Sequence, residues 1–431
     1  MRPVPTEFPS PTLERAVSRW QVVAISVNDV VGSGVYLLPA AATALLGPAS
    51  LGAVALAGLA VLLIVLCFAE AGSYFDQPGG GYLYTRAAFG PLVGFEVGWM
   101  TWLARVSSVA SLSAGFAQAL TFLWPATGEG LMRTLAIVLP LLLLTLINLV
   151  GVRSGAGTAV VLAISKVIPL LVLVAAGAVA FSPETFASQP GGEAGRKAWG
   201  EAALLLLFAY AGFENTAAPA GEYKNPKRDV PFAQLTQIAV VMALYCAVQA
   251  VVLGVLPAAK YSLTPAADAA RLVIGPWGGL LLTVGAALSI LGTNSNTMLA
   301  GPRYLYALAK DGFGPAWLAS VHPGFHTPAN AILLQAAVAL PLALSGTFTT
   351  LAALSVVARL TTYFGTAAAV PVLRRRAAAG HQGFRLPGGL LVPVLACLVT
   401  LVLAASATPR ALATAGVALL VGLGIYALRR R

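Results

Sequence analysis

Twelve apolar runs of about 20 residues follow one another along this chain of 431 residues. A helix of that length is long enough to cross the hydrocarbon core of a bilayer. The runs lie near residues 20–46, 50–75, 92–124, 131–150, 158–181, 199–219, 233–256, 276–300, 329–345, 349–372, 390–407 and 409–428. Only 10% of the residues are charged, against about 25% in a soluble domain. The chain is therefore predicted to be an all-α membrane protein with 12 transmembrane helices.

Lysine and arginine are distributed unevenly over the loops between these runs. With an even number of spans both termini lie on one side, so alternate loops can be compared. Of the 26 basic residues, 17 lie on the side of the termini, 6 on the other side and 3 inside spans. Because basic residues collect in cytoplasmic loops, we expect both termini in the cytoplasm and the chain in the cytoplasmic (plasma or inner) membrane. The net charge of +11 reflects these loops and gives no reason to expect a nucleic-acid partner.

The loops are too short to bury an independent core, so the helical bundle is expected to be the whole protein. Residues 1–19 are predicted to be a cytoplasmic N-terminal segment, residues 20–372 a ten-helix core and residues 390–428 two accessory transmembrane helices. Within the core, residues 20–181 and 199–372 form two units of five spans. Because five is an odd number, the two units would cross the membrane in opposite directions, as in an inverted repeat.

The first and sixth spans, which correspond in the two units, are both interrupted by glycine and polar residues. AISVNDVVGSGVYLLPAA at 24–41 holds Asp29 and the Gly-Ser-Gly triplet 32–34, and FAYAGFEN at 208–215 holds Gly212 and Glu214. Unwound backbone within a membrane is tolerated only beside protein or a polar cavity. We therefore predict that helices 1 and 6 are discontinuous and face a cavity. The free N–H groups at one interruption would bind a carboxylate, and the free carbonyl groups at the other would bind an ammonium group. An α-amino acid carries both groups. Glycine in one span alone would more often indicate close packing of helices.

At these residues the sequence resembles the amino acid-polyamine-organocation (APC) superfamily of transporters. GSGVYLLPA at 32–40 is similar to its helix 1, PGGGYLYTRAAFG at 78–90 to its first cytoplasmic loop, FAYAGFEN to its helix 6 and GPRYLYALAKDG at 301–312 to the end of its helix 8. The resemblance implies the LeuT-like fold, which has a 5+5 inverted repeat plus two extra helices. It also implies a permease that moves amino acids by alternating access.

The resemblance assigns substrate contacts to both interruptions. It implies that the substrate carboxylate is held by three residues of helix 1, Gly32, Ser33 and Gly34. It implies that the amino group is taken by unwound carbonyls of helix 6, at Ala209, Tyr210 and Ala211, with Phe208 as an aromatic lid. Side-chain selectivity is expected from helices 3 and 8, where the candidates are Ser107, Ser108, Asn294 and Asn296. Polar residues at these depths equally well bridge neighbouring helices.

Five charged residues lie inside predicted spans, where such residues are by default functional or paired. They are Asp29, Arg105, Lys166, Glu214 and Arg359. Ion coupling or gating is predicted for the first four. For Arg359 the sequence indicates no role, and the only argument is the energetic cost of placing a charge inside the membrane. Glu214 matches an acidic position that some relatives use in proton-linked gating, or it neutralises Arg105. Asp29 either selects a cationic side chain or pairs with a buried arginine; we favour neutral substrates, because Arg105 can account for this acid.

SKVIPLL at 165–171 is similar to helix 5 of sodium-independent members of the superfamily. In those members a lysine ammonium occupies the place where relatives bind sodium, between helices 1 and 8. The resemblance therefore implies sodium-independent transport, with Lys166 either cycling a proton or replacing sodium permanently in an exchanger.

Residues for other functions are missing from the predicted spans. All three histidines lie in predicted loops and the sequence shows no buried His-Ser pair or metal cluster, so we expect no enzyme, no metal and no cofactor. The GxxxxGK[ST] pattern of a P-loop ATPase does not occur. The expected partners are a small-molecule amino acid, the lipid bilayer and, if transport is proton-coupled, protons. A polyamine or other organocation substrate, a channel and a non-transporting sensor stay as alternatives, as do monomer and homodimer.

Overall fold

The computed structural model describes residues 17–75, 79–150, 156–192, 195–217, 223–376 and 383–429. Over these ranges the chain is all-helical, apart from loops and one isolated bridge between Val17 and Tyr223. Nearly all of the predicted N-terminal segment 1–19 lies outside the described residues.

Sixteen α-helices lie in the described ranges. In chain order they are α1 Arg19–Val30, α2 Gly34–Leu46, α3 Ser50–Ser73, α4 Gly80–Phe89, α5 Pro91–Leu120, α6 Gly130–Val150, α7 Ala156–Val179, α8 Pro183–Ala187, α9 Arg196–Tyr210, α10 Pro226–Val255, α11 Pro265–Ile274, α12 Pro276–Lys310, α13 Ala329–Ser345, α14 Phe348–Arg376, α15 Leu391–Ala405 and α16 Pro409–Arg429. Some extend past the predicted runs: α12 continues to Lys310 instead of ending near 300, and α10 begins at Pro226 instead of near 233. An apolar run marks only the part of a helix in apolar surroundings, and the polar ends of these helices are helical as well.

Several of these helices are suited to a membrane. Length and composition identify six described segments that are long and apolar enough to cross one: Gly34–Ser73, Gly130–Val150, Pro226–Val255, Pro276–Lys310, Phe348–Arg376 and Pro409–Leu428. Three shorter apolar helical stretches are Ala163–Val179, Ala329–Ser345 and Leu391–Ala405. The long helix α5 is not among them, and it carries polar residues such as Arg105 and Ser108. The chain is a multi-pass membrane protein.

Both predicted interruptions are present. The helix of the first run stops with α1 at Val30 and resumes with α2 at Gly34. In the sixth run, α9 ends at Tyr210 and a short 3-10 helix follows at Phe213–Ala217. Gly212 between them has a φ of 129°, a conformation that requires glycine. A Cβ atom at Gly212 would lie 2.5 Å from the carbonyl oxygen of Asp29, so the two interruptions are in direct backbone contact.

The helices of the two predicted five-span units pack in matching pairs. α1 contacts α7 and α10, and α9, the counterpart of α1, contacts α14 and α3, the counterparts of α7 and α10. The contact between α5 and α14 corresponds to the contact between their counterparts, α12 and α7. In two further pairs, α3–α10 and α5–α12, each helix packs on its own counterpart. Outside these pairs, α15 packs on α3 and α14, and α16 packs on α5 and α14. Around the interruptions of α1–α2 and α9 lie α3, α7, α10, α12 and α14, and α5 packs on α12 and α14.

Candidate functional site

A small cavity of about 30 Å³ lies where the two interruptions meet. That is room for about two water molecules. The cavity is lined by residues of both interruptions and of α5, α12 and α14, namely Asp29, Val30, Gly32, Ser33, Gly34, Arg105, Ser108, Leu112, Phe208, Ala209, Ala211, Gly212, Asn215, Thr293, Asn296, Thr297 and Arg359. Most of the residues predicted for the site are among them.

Some predicted residues lie elsewhere. Tyr210 does not line the cavity, and its hydroxyl donates to the Val54 carbonyl at 3.1 Å. Asn294 Nδ2 donates to Ser113 Oγ at 3.1 Å, so Asn294 joins α12 to α5 as a bridging polar residue. Ser107 is buried outside the lining. Glu214 and Lys166 also lie outside the lining, but each contacts residues that line the cavity.

The first interruption presents the start of α2 to the cavity. The N–H groups of a first helical turn lack acceptors within the helix and carry the positive end of its dipole. The Ser33 hydroxyl is buried beside them, with no hydrogen-bond partner in the described part of the chain. A Cβ atom at Gly34 would lie 2.6 Å from the Ala209 Cα, so α2 begins directly against α9. This end of the cavity is suited to an anionic group.

The second interruption presents the end of α9, where carbonyl groups carry the negative end of the dipole. Ala209 and Ala211 line the cavity. The Ala209 carbonyl has a protein partner, because the Tyr245 hydroxyl lies 3.1 Å from it and 3.2 Å from the Val30 carbonyl. Tyr245 thus bridges both interruptions. The Phe208 ring meets Phe348 edge to face with centroids 5.8 Å apart, which places an aromatic pair over one side of the cavity.

A buried cluster of charges connects the second interruption to α5 and α14. Glu214 Oε1 accepts hydrogen bonds from Arg359 Nη1 and, at 3.3 Å, from Arg105 Nη2. Its Oε2 accepts from the Gly212 N–H at 2.9 Å, and Arg105 also donates to Asn215 Oδ1. The sequence allowed two roles for Glu214. The geometry shows one of them, neutralisation of Arg105, and adds Arg359 as a second partner.

Asp29 does not pair with Arg105, so that part of the sequence interpretation is wrong. Asp29 accepts a hydrogen bond from Asn296 Nδ2 at 2.6 Å and forms no ion pair with any residue the structure describes. The reason is the turn at Phe213–Ala217, which brings Glu214 against both guanidinium groups. Asp29 is left as an acidic residue of the cavity wall that forms no ion pair with the described side chains, and Lys166 and Arg105 act on it only from longer distances.

Lys166 lies fully buried between α1 and α12. Its Nζ donates to the Asn28 carbonyl at 2.9 Å and to Thr293 Oγ1 at 3.1 Å. Asn28 is in the last turn of α1, directly before the interruption. The ammonium group is thus directed into the protein and not toward the lipid headgroups, and it joins the helices that correspond to the first and eighth spans.

Several lining residues were missed in the sequence. Thr293 and Thr297 lie on one face of α12 together with the predicted Asn296, as their i, i+3, i+4 spacing permits. This spacing would have favoured that face of the helix over Asn294. Arg359 was singled out for its charge but given no role. In the structure it lines the cavity and donates to Ser108 Oγ at 2.8 Å.

Comparison with known proteins agrees with this architecture. A family model described as amino acid permease matches residues 17–425. The chain is 28% identical to the serine/threonine exchanger SteT of Bacillus subtilis (strain 168), with 97% of this chain and 98% of that relative covered. It is 29% identical to the methylthioribose transporter of the same organism, over 91% and 88% of the two chains. It is 26% identical to the branched-chain amino acid permease BcaP, also of Bacillus subtilis, over 97% and 94%. The chain belongs to the amino acid permease family of the APC superfamily, and it is a membrane transporter and not an enzyme.

Proposed function

We propose that this permease is a secondary active transporter that carries an α-amino acid through the cavity by alternating access. The observation that carries the proposal is the meeting of two interrupted helices at one cavity. The start of α2, with Gly32, Ser33 and Gly34, binds the carboxylate. The end of α9, at Ala209 and Ala211, binds the ammonium. Relatives named as an amino acid exchanger and an amino acid permease support this substrate class.

The architecture that we propose has 12 spans, with a LeuT-like inverted repeat of residues 20–181 and 199–372 and accessory helices at 390–428. The matching helix pairs support it, because exchanging helices for their counterparts reproduces the main contacts between the units. In this proposal both termini lie in the cytoplasm. The excess of basic residues in the loops on the side of the termini supports this orientation.

Transport in this proposal needs no sodium. Lys166 supports this part, because its ammonium fills the space between the Asn28 carbonyl and the Thr293 hydroxyl. A cation covalently attached to the protein at that position does the work of a bound ion. Lys166 then either exchanges a proton during the cycle, which couples transport to protons, or stays charged in an amino acid exchanger.

The test is uptake by the purified protein in sodium-free proteoliposomes, with and without an inward proton gradient. We expect the wild-type protein to transport at least one amino acid without sodium. Lys166→Ala is expected to lose this transport or its pH-gradient stimulation. Lys260→Ala is the matched control, since Lys260 lies on Tyr261 in the loop before α11. A sodium requirement of the wild type, or normal and unchanged transport by Lys166→Ala, would contradict the proposal.

An organocation such as a polyamine is the second candidate substrate, and the unpaired Asp29 in the cavity wall favours it. Arg105 and Arg359 in the same wall oppose it. A panel of amino acids and polyamines in the same vesicles separates the two classes. Saturable uptake with counter-transport distinguishes a transporter from a channel or a non-transporting sensor.

A further inference from the structure

The cavity wall beyond the two interruptions is mostly polar. Side chains from α5, α12 and α14 contribute hydroxyl, carboxamide and guanidinium groups, while the larger apolar side chains are Val30, Leu112 and Phe208. If the interruptions hold the carboxylate and ammonium of an α-amino acid, this wall faces its side chain. We call the polar part formed by Asp29, Arg105, Asn296 and Arg359 the side-chain subsite.

The charges around the side-chain subsite balance one another. Asp29 and the adjoining Glu214 are acidic, and Arg105 and Arg359 are basic. A cationic substrate side chain that met Asp29 would lie in the same small cavity as two guanidinium groups, with the Lys166 ammonium close behind the wall. An anionic side chain that met Arg105 would lie beside Asp29. Because buried charges are screened much less than exposed ones, both kinds of charged side chain are disfavoured.

Hydrogen-bonding capacity in the side-chain subsite is only partly used. Arg105 is 2% exposed, and its Nε has no partner within the described ranges. Asp29 accepts a side-chain hydrogen bond only from Asn296 among the contacts of the described residues. Leaving buried polar groups unpaired is unfavourable. A bound substrate with a polar side chain would supply partners for these groups, whereas an apolar one would leave them unpaired.

We propose that the side-chain subsite selects amino acids with a neutral hydrogen-bonding side chain, a hydroxyl or a carboxamide, and that Arg105 is a specificity-determining donor. Such a side chain both donates and accepts, which matches an acid and a guanidinium in one wall. This inference rests on the proposed function, because it assumes that the two interruptions bind the common part of an α-amino acid.

The test compares inhibition constants for serine, asparagine, valine, lysine and aspartate against a radiolabelled transported amino acid, in purified wild type and Arg105→Lys. The lysine keeps a charge for Glu214 and removes the guanidinium Nε donor. We expect the wild type to prefer serine and asparagine, and Arg105→Lys to lower the serine-to-valine preference about tenfold or more, the effect of losing one hydrogen bond to a charged group. Arg133→Lys is the control, because Arg133 donates to the Gly346 carbonyl away from the cavity.

A second variant covers the case in which Arg105→Lys does not fold. Asp29→Asn keeps the side-chain shape and removes one negative charge, so inhibition by aspartate should strengthen relative to lysine. A wild type that prefers valine, lysine or aspartate would overturn the inference, and so would a folded pair of variants with unchanged preferences. Absence of transport for every amino acid would instead contradict the proposed function.

Discussion

At the scale of single residues, Gly34 lies very close to the backbone of Ala209. A Cβ atom at Gly34 would lie 2.6 Å from the Ala209 Cα, and that contact is relieved only by moving α2 away from α9. We expect Gly34→Ala to abolish substrate binding and to lower the melting temperature, measured by ligand binding and thermal unfolding of the purified protein. Gly416→Ala should change neither, because nothing lies within 4 Å of its Cβ position. Normal binding by Gly34→Ala would show that the two segments are not so close.

At the scale of helices, one hydroxyl holds the two interruptions together. Tyr245 of α10 lies within hydrogen-bonding distance of the Val30 carbonyl at the end of α1 and of the Ala209 carbonyl near the end of α9. Tyr245→Phe removes only this hydroxyl, and we expect it to lower the free energy of unfolding by about 1–3 kcal/mol, since buried carbonyls lose a donor, and to weaken substrate binding. Tyr261→Phe, at a residue 75% exposed, serves as the control. Equal stability of the two variants would contradict this bridging role.

At the scale of the whole molecule, a buried ion pair joins α3 to α14 and contacts the segment before α15. Glu70 of α3 is fully buried and accepts from Arg374 of α14 at 2.5 and 2.7 Å and from the Leu386 N–H before α15 at 2.9 Å. Glu70→Gln leaves a mostly buried arginine without its counter-charge, so we expect the free energy of unfolding to fall by about 3–5 kcal/mol. Glu201→Gln should have almost no effect, because its partner Lys197 is 91% exposed and 3.9 Å away. Chemical unfolding of both variants would measure the difference, and equal losses would be evidence against the buried pair.

The sequence by itself determined the class of molecule and the positions of both interruptions. Hydropathy is a local property, so a run of apolar residues identifies a helix wherever the rest of the chain lies. Gly32 to Gly34 and Gly212 are equally local, because a polar, glycine-containing stretch inside such a run predicts an interruption without knowledge of its neighbours. The same locality explains the errors at helix ends, where α10 and α12 continue through polar residues that hydropathy assigns to loops.

Only the tertiary structure decided the partners of the buried charges. Glu214 and Arg359 are 145 residues apart in the chain, and no pattern along the sequence states which acid meets which guanidinium. In the structure Glu214 contacts both arginines and Asp29 contacts Asn296, whereas pairing of Asp29 with Arg105 was one of the two interpretations of the sequence. The structure also shows that the two glycines have different neighbours. Gly34 lies against the backbone of Ala209, and Gly32 lies against the Thr293 side chain. The reason is physical: ion pairing and close packing depend on distances between helices, which arise only when the bundle is assembled.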